Sequence, residues 1–221
     1  MTLVNGRKVL AAARANGYAV PAFNIFNLEF LQAAIGSAVA ERSPVVIQVI
    51  PLTVRDAGLG PIAALAESMA DSVPVPVVFH LDHGASLDAC EAALDAGFTS
   101  VMFDGADLPF DYNVVWTRKV VACAHAAEAS AEAELGQVGH ARDGHVPGAG
   151  TDPGEAARFV AATKVDALAV AIGTVHGMST TGAVVDIDRI HALRQAVSVP
   201  LVMHGSSGVD DVTLAKAVRA G

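Results

Sequence analysis

Cysteine, aromatic side chains and positive charge are all in short supply in this chain. Its 221 residues include two cysteines, Cys90 and Cys123. They have no metal-ligand spacing and form no framework of paired cysteines, which excludes a disulfide-stapled scaffold. Aromatics make up 5% of the residues, so small aliphatics must fill the interior. Lysine and arginine number 14 against 23 acidic residues, a net charge of −9. That balance argues against nucleic acid as a main partner. It leaves an anionic small substrate open, because a metal or backbone amides can reverse the sign locally. No apolar run is long enough to span a bilayer, so no membrane role is expected. The amino terminus lacks a signal-peptide layout. A reducing, cytoplasmic compartment is the expectation.

What is abundant is apolar: 52% of residues are hydrophobic. A β-then-α unit recurs seven times. Strands are predicted at 20–25, 44–50, 75–82, 100–104, 131–136, 167–173 and 199–204. They read as near-continuous apolar runs, the pattern of strands buried on both faces. Helices are predicted at about 28–41, 61–72, 87–96, 111–128, 153–163, 187–196 and 210–220, with Asp152 and Asp210 as N-caps. The fold expected is α/β, a TIM (β/α)8 barrel lacking the eighth strand and the C-terminal helices, as one domain over 1–221. An open doubly wound sheet is the weaker alternative, since no glycine fingerprint follows the first strand.

Three histidine motifs follow strands: HLDHG at 80–84, TVHG at 174–177 and HGSSG at 204–208. Strand ends on one rim are where such barrels keep their chemistry. His83, His176 and His204 each lie beside glycine, and three imidazoles converging there read as a catalytic zinc site. Asp82 is either an acid/base beside the metal or a carboxylate that orients a histidine, and proton transfer is favoured. His80 shares a face with Asp82 and reads as a support. Glu132 and Glu134 share one strand face, and Asp104 ends the preceding strand. Asp104 and Glu134 together look like a second cation site, unless they cap backbone amides. Gly205, Ser206, Ser207 and Gly208 form a small-residue turn suited to an anion. His125 and His191 fall within helices and read as solvated or capping. Residues 137–152, glycine-rich and carrying His140 and His145, read as a lid.

Taken together, VPAFNI, HLDHG, FDGADLPFDYN, EAELG, LAVAIGTVHG and PLVMHGSSGV resemble the zinc-dependent class II fructose-bisphosphate and tagatose-bisphosphate aldolases. The resemblance implies a lyase (an aldehyde-lyase of carbohydrate metabolism) that is homodimeric or homotetrameric. It would cleave a ketose phosphate to dihydroxyacetone phosphate and an aldehyde. It implies His83, His176 and His204 as zinc ligands and Asp82 as the acid/base for the C4 hydroxyl. Asp104 and Glu134 match an accessory metal position. Gly177, Gly205 and Ser207 match groups near the phosphate, where some relatives also hold a monovalent cation, Na+ or K+; Ser206 adjoins them. Asn24 matches a residue near the substrate.

Three departures stand out. The family's loop glutamate, in a pattern like GGxEDG, meets GHARDG here, with Arg142 in its place, or with Asp143 serving if the register has slipped. Ile50 stands where a serine or threonine is usual. The final strand, with an asparagine and a threonine of the phosphate site, is expected but absent. A non-catalytic relative that binds metal or sugar phosphate is therefore the alternative to an aldolase. A metal-dependent barrel hydrolase ranks third, because the first strand lacks the HxH pair such enzymes often carry.

Overall fold

The computed structural model describes residues 3–141 and 150–221. Its elements run in the order α1 (Gly6–Asn16), β1 (Ala22–Asn24), α2 (Leu28–Glu41), β2 (Val45–Val49), α3 (Pro51–Ala57), α4 (Leu59–Ala70), β3 (Val77–Gly84), α5 (Leu87–Asp95) and β4 (Ser100–Phe103). They continue with α6 (Phe110–Ala126), β5 (Ser130–Leu135), β6 (Gly139–His140), α7 (Pro153–Thr163), β7 (Ala167–Val170), β8 (Val175–His176), α8 (Ile187–Ala196), β9 (Leu201–Val202) and α9 (Asp211–Ala220). The fold is α/β, and seven strands form one sheet in the order β1-β2-β3-β4-β5-β7-β9. Consecutive strands lie side by side, as a repeated βα unit requires. β6 and β8 pair separately as a short parallel ladder.

The chain divides into two compact units. One holds Ala19–Asp104, Lys119–Glu132 and the amino-terminal residues to Ala13. The other holds Arg14–Tyr18, Gly105–Arg118 and Ala133–Gly221. In the first, β1, β2, β3 and β4 pair in parallel. Val45, Ile47, Val49, Phe79 and Met102 are fully buried there, with Leu31 and Ile35 of α2. Phe79 stacks on Phe98, ring centroids 3.8 Å apart. In the second, β7 pairs in parallel with β9, and the core holds Phe159, Leu168, Ile172 and Leu193. Every residue of β4, β5 and β7 is buried; that burial on both faces gives β4 and β7 their apolar runs, while β5 carries Glu132 and Glu134 within it.

Side-chain caps start several of the helices. Ser86 accepts from Ala89 N at α5, Asp152 from Glu155 N at α7 and Asp210 from Thr213 N at α9. Two helices were not expected. α1 covers residues assigned to no element, and α3 begins with Pro51 directly after β2. Ile50 is the N-cap of α3 and offers its amides no side-chain acceptor. β7 is shorter than the apolar run 167–173. Past Val170 the backbone bonds a loop instead of a strand: Ala171 N donates to Thr151 Oγ1 and Ala171 O accepts from Thr151 N. Among the described residues no helix is long and apolar enough to cross a membrane.

Candidate active site

Parallel register builds a polar row in the first unit. Asn24 of β1 pairs with Gln48 of β2, Gln48 with His80 of β3, and His80 with Ser100 of β4. Residues in register on neighbouring strands face the same way, and Asp82, two positions beyond His80, joins that face. Asp82 is 3% exposed. Its Oδ2 accepts from Asn24 Nδ2 and from Gln48 Nε2, each at 2.8 Å. Gln48 Nε2 also donates to Asn24 Oδ1 at 3.1 Å. His80 Nδ1 lies 2.8 Å from Ser100 Oγ, and its Nε2 lies 3.8 Å from Glu132 Oε2. His80 is a buried support, as its sequence position suggests.

His83 does not simply follow the strand. It sits inside β3, where the register with β4 shifts between Leu81 and Gly84. Its φ is +53°. The other described non-glycine residues with positive φ, Arg42, Glu128 and Lys164, all follow helix ends, where that conformation is common. A left-handed residue within a buried strand is strained, and such strain persists only where the surroundings hold it. The bulge turns the His83 ring so that Nδ1 lies 2.8 Å from Asp104 Oδ2, while Nε2 lies 3.6 Å from Asp82 Oδ1. Gly84 makes this possible. A Cβ there would lie 2.5 Å from Met102 O and 2.9 Å from Cys90 Sγ.

The second unit brings two more imidazoles together. The rings of His176 and His204 meet edge to face, centroids 5.5 Å apart at 67°. Gly205 permits the approach: its φ is +70°, and an added Cβ would lie 2.7 Å from the carbonyl carbon of Val175. His140 is the register partner of His176, and the two rings lie 6.2 Å apart at 29°. Glu134 is buried in β5, with Oε1 accepting from Val138 N at 3.2 Å. Asn113 Nδ2 donates to the Glu134 carbonyl. Gly177 is exposed just past β8, and Ser206 and Ser207 are exposed in a 3-10 turn, Ser206–Gly208.

Within each unit, then, the predicted residues do meet: Asn24, Asp82, His83 and Asp104 in one, His176 and His204 in the other. His125 and His191 are exposed. Arg142, Asp143 and His145 lie outside the described residues, as does half of the segment read as a lid. Gln48 was missed. Its signal was a lone carboxamide within VVIQV, a run otherwise wholly aliphatic.

The chain matches the family model "Fructose-bisphosphate aldolase class-II" over residues 4–221. Among solved structures it is similar to the YdjI aldolase of Escherichia coli K12. The two share 35% identity over 99% of this chain and 79% of that one, with a TM-score of 0.89. A candidate fructose-1,6-bisphosphate aldolase of Coccidioides immitis shares 32% identity over 97% of this chain and 77% of that one, with a TM-score of 0.88. The fructose-bisphosphate aldolase of Campylobacter jejuni, at 22% identity over 99% of this chain and 75% of that one, supports the fold alone, with a TM-score of 0.82.

Proposed function

The chain belongs to the class II fructose-bisphosphate aldolase family, a family of lyases with a TIM-barrel-like α/β fold, and from that premise we propose that it cleaves a ketose phosphate by a metal-assisted retro-aldol reaction. The products are dihydroxyacetone phosphate and an aldehyde. The observation that carries the reading is the Asp82–His83 pair. One carboxylate oxygen is held by two amides, and the other faces a histidine turned by a strained bulge.

His83, His176 and His204 would hold one divalent cation, zinc by the chemistry of three neutral imidazoles. Two features support the fit. His83 Nδ1 is engaged by Asp104, which sets the ring and leaves Nε2 as the coordinating nitrogen. His176 and His204 have the spacing that two imidazoles need to share a cation, centroids roughly 5 Å apart for bonds of about 2.0–2.1 Å. When bound, the cation would polarise the C2 carbonyl and offset the negative charge that develops beside it.

The residues of the chain do the rest. Asp82 takes the proton of the C4 hydroxyl at Oδ1 as the C3–C4 bond breaks, and returns it in the condensation direction. Asn24 lies beside Asp82 and meets the same end of the substrate. Gly177, Gly205, Ser206 and Ser207 receive the phosphate through backbone and hydroxyl donors, with Na+ or K+ as a counter-ion. Asp104 acts on the reaction through His83, and with Glu134 it is the place for any second cation. The reading includes a homo-oligomer in a reducing cytoplasm, where Cys90 and Cys123 stay as thiols.

The test is direct. Purified protein is given fructose and tagatose bisphosphates, and dihydroxyacetone phosphate is followed by coupled oxidation of NADH. Cleavage that a chelator abolishes and zinc restores is the expected result. No cleavage of either sugar by zinc-loaded protein would overturn the reading, as would turnover indifferent to chelation.

A further inference from the structure

An acid/base carboxylate works only if one oxygen is aimed and stays aimed. Asp82 sits on β3, but the groups that hold it come from β1 and β2. The three side chains form a closed triangle. Gln48 Nε2 donates to Asp82 Oδ2 and to Asn24 Oδ1, and Asn24 Nδ2 donates to Asp82 Oδ2. The triangle also settles which way the Asn24 amide points. Turned over, it would set its carbonyl oxygen against a carboxylate oxygen.

The corners are not equivalent. Without Asn24, Gln48 still holds Asp82. Without Gln48, Asn24 still donates to Asp82, but Asn24 Oδ1 loses the donor that orders its amide. Gln48 is half-buried at the centre of the in-register row Asn24–Gln48–His80, inside a strand whose other residues are buried aliphatics. A carboxamide there costs burial of a polar group unless it is used.

We infer that Gln48 is the positioning residue of the catalytic carboxylate: it ties down Oδ2 of Asp82 directly and through Asn24, so that Oδ1 alone meets the substrate. The inference rests on the aldolase reading, in which Asp82 moves the C4 hydroxyl proton. It separates the two halves of the reaction. Exchange of the C3 proton of dihydroxyacetone phosphate with solvent does not involve the C4 hydroxyl. Cleavage does.

The experiment compares the wild type with Gln48→Met, which keeps side-chain length, and Gln48→Ala, in zinc-loaded protein. Cleavage is measured as kcat and KM, and the exchange half-reaction is followed by deuterium incorporation into dihydroxyacetone phosphate by NMR. Misaiming a reacting group costs about 10²-fold, so kcat for cleavage should fall on that scale. KM, zinc content and deuterium exchange should hold at wild-type values in Gln48→Met. Undiminished cleavage in both variants would overturn the inference. So would an equal loss of cleavage, exchange and zinc, which would make Gln48 part of the general scaffold. A wild type that neither cleaves nor exchanges would sink the aldolase reading itself, a result distinct from either.

Discussion

Gly84→Ala is a one-carbon change that should propagate to the proposed metal site. The new Cβ would lie 2.5 Å from Met102 O, 2.9 Å from Cys90 Sγ and 3.0 Å from Leu81 Cδ2. An ordinary carbon–oxygen approach is about 3.3 Å, so β3 and β4 must part by roughly 0.8 Å. The atom in the way is backbone, which cannot swing aside as a side chain would. The same two strands hold His83 against Asp104. A 2.8 Å bond between Nδ1 and Oδ2, stretched by that amount, reaches about 3.6 Å and is no longer a hydrogen bond. Overpacking of this kind costs about 1–3 kcal/mol, and loss of a partner that orients a ligand costs about 10–100-fold in metal affinity. Denaturant unfolding of the apoprotein would read the first effect. Competition with a chromophoric chelator would read the second. Gly36→Ala is the control. It is exposed within α2, nothing lies within 4 Å of the added carbon, and it should stabilise by about 0.5–1 kcal/mol. A Gly84→Ala protein with wild-type stability and zinc affinity would refute the argument that close strand approach sets the His83 ring.

Asp82→Asn keeps the shape and can still accept from Asn24 and Gln48, so zinc content should hold while turnover falls about 10²–10⁴-fold; loss of zinc would make Asp82 a ligand or support instead. His204→Ala should release zinc at chelator concentrations the wild type survives, measured by metal analysis after dialysis, and an unchanged zinc content would remove His204 from the site. Burial pushes the Cys90 thiol up to about 12, and burial with the neighbouring Glu91 carboxylate pushes Cys123 up. Little thiolate therefore exists near pH 8, and alkylation of the folded protein should be slow at both until denaturant is added. Fast labelling of Cys90 in the native state would contradict its burial. Arg142→Glu restores the family's loop glutamate and should raise turnover; an unchanged rate would make that position irrelevant here.

Much of the sheet was visible in the residues because burial on both faces leaves a plain mark. VVIQV, VVFHL, SVMF and ALAV are strands wherever they fall in such a pattern. The histidines were visible for a related reason: a polar, glycine-flanked motif at the end of an apolar run has no packing explanation. What did not show was whatever depends on register. Asn24, Gln48, His80 and Ser100 are 76 residues apart end to end, and only pairing puts them in one row. The β6–β8 ladder is two residues long on each side, too short for any periodicity. α3 escaped because Pro51 reads equally well as a turn and as the first residue of a helix.

The bulge at His83 ties these levels together. In a regular strand Asp82 and His83 would face opposite sides of the sheet, and the acid and metal-ligand roles proposed for them could not serve one substrate. The left-handed turn at His83 and the register shift to Gly84 bring Asp82 Oδ1 and His83 Nε2 to 3.6 Å. Strain of this kind costs about 1–3 kcal/mol and persists only where the surroundings over-determine it. Here they do so from both sides. Asn24 and Gln48 hold the aspartate from β1 and β2, and Asp104 holds the histidine from the end of β4. Gly84 lets β4 come close enough to do it. The HLDHG motif is therefore a unit: the glycine admits the neighbouring strand, that strand fixes the histidine, and the distorted backbone turns His83 toward the face that Asp82 already occupies.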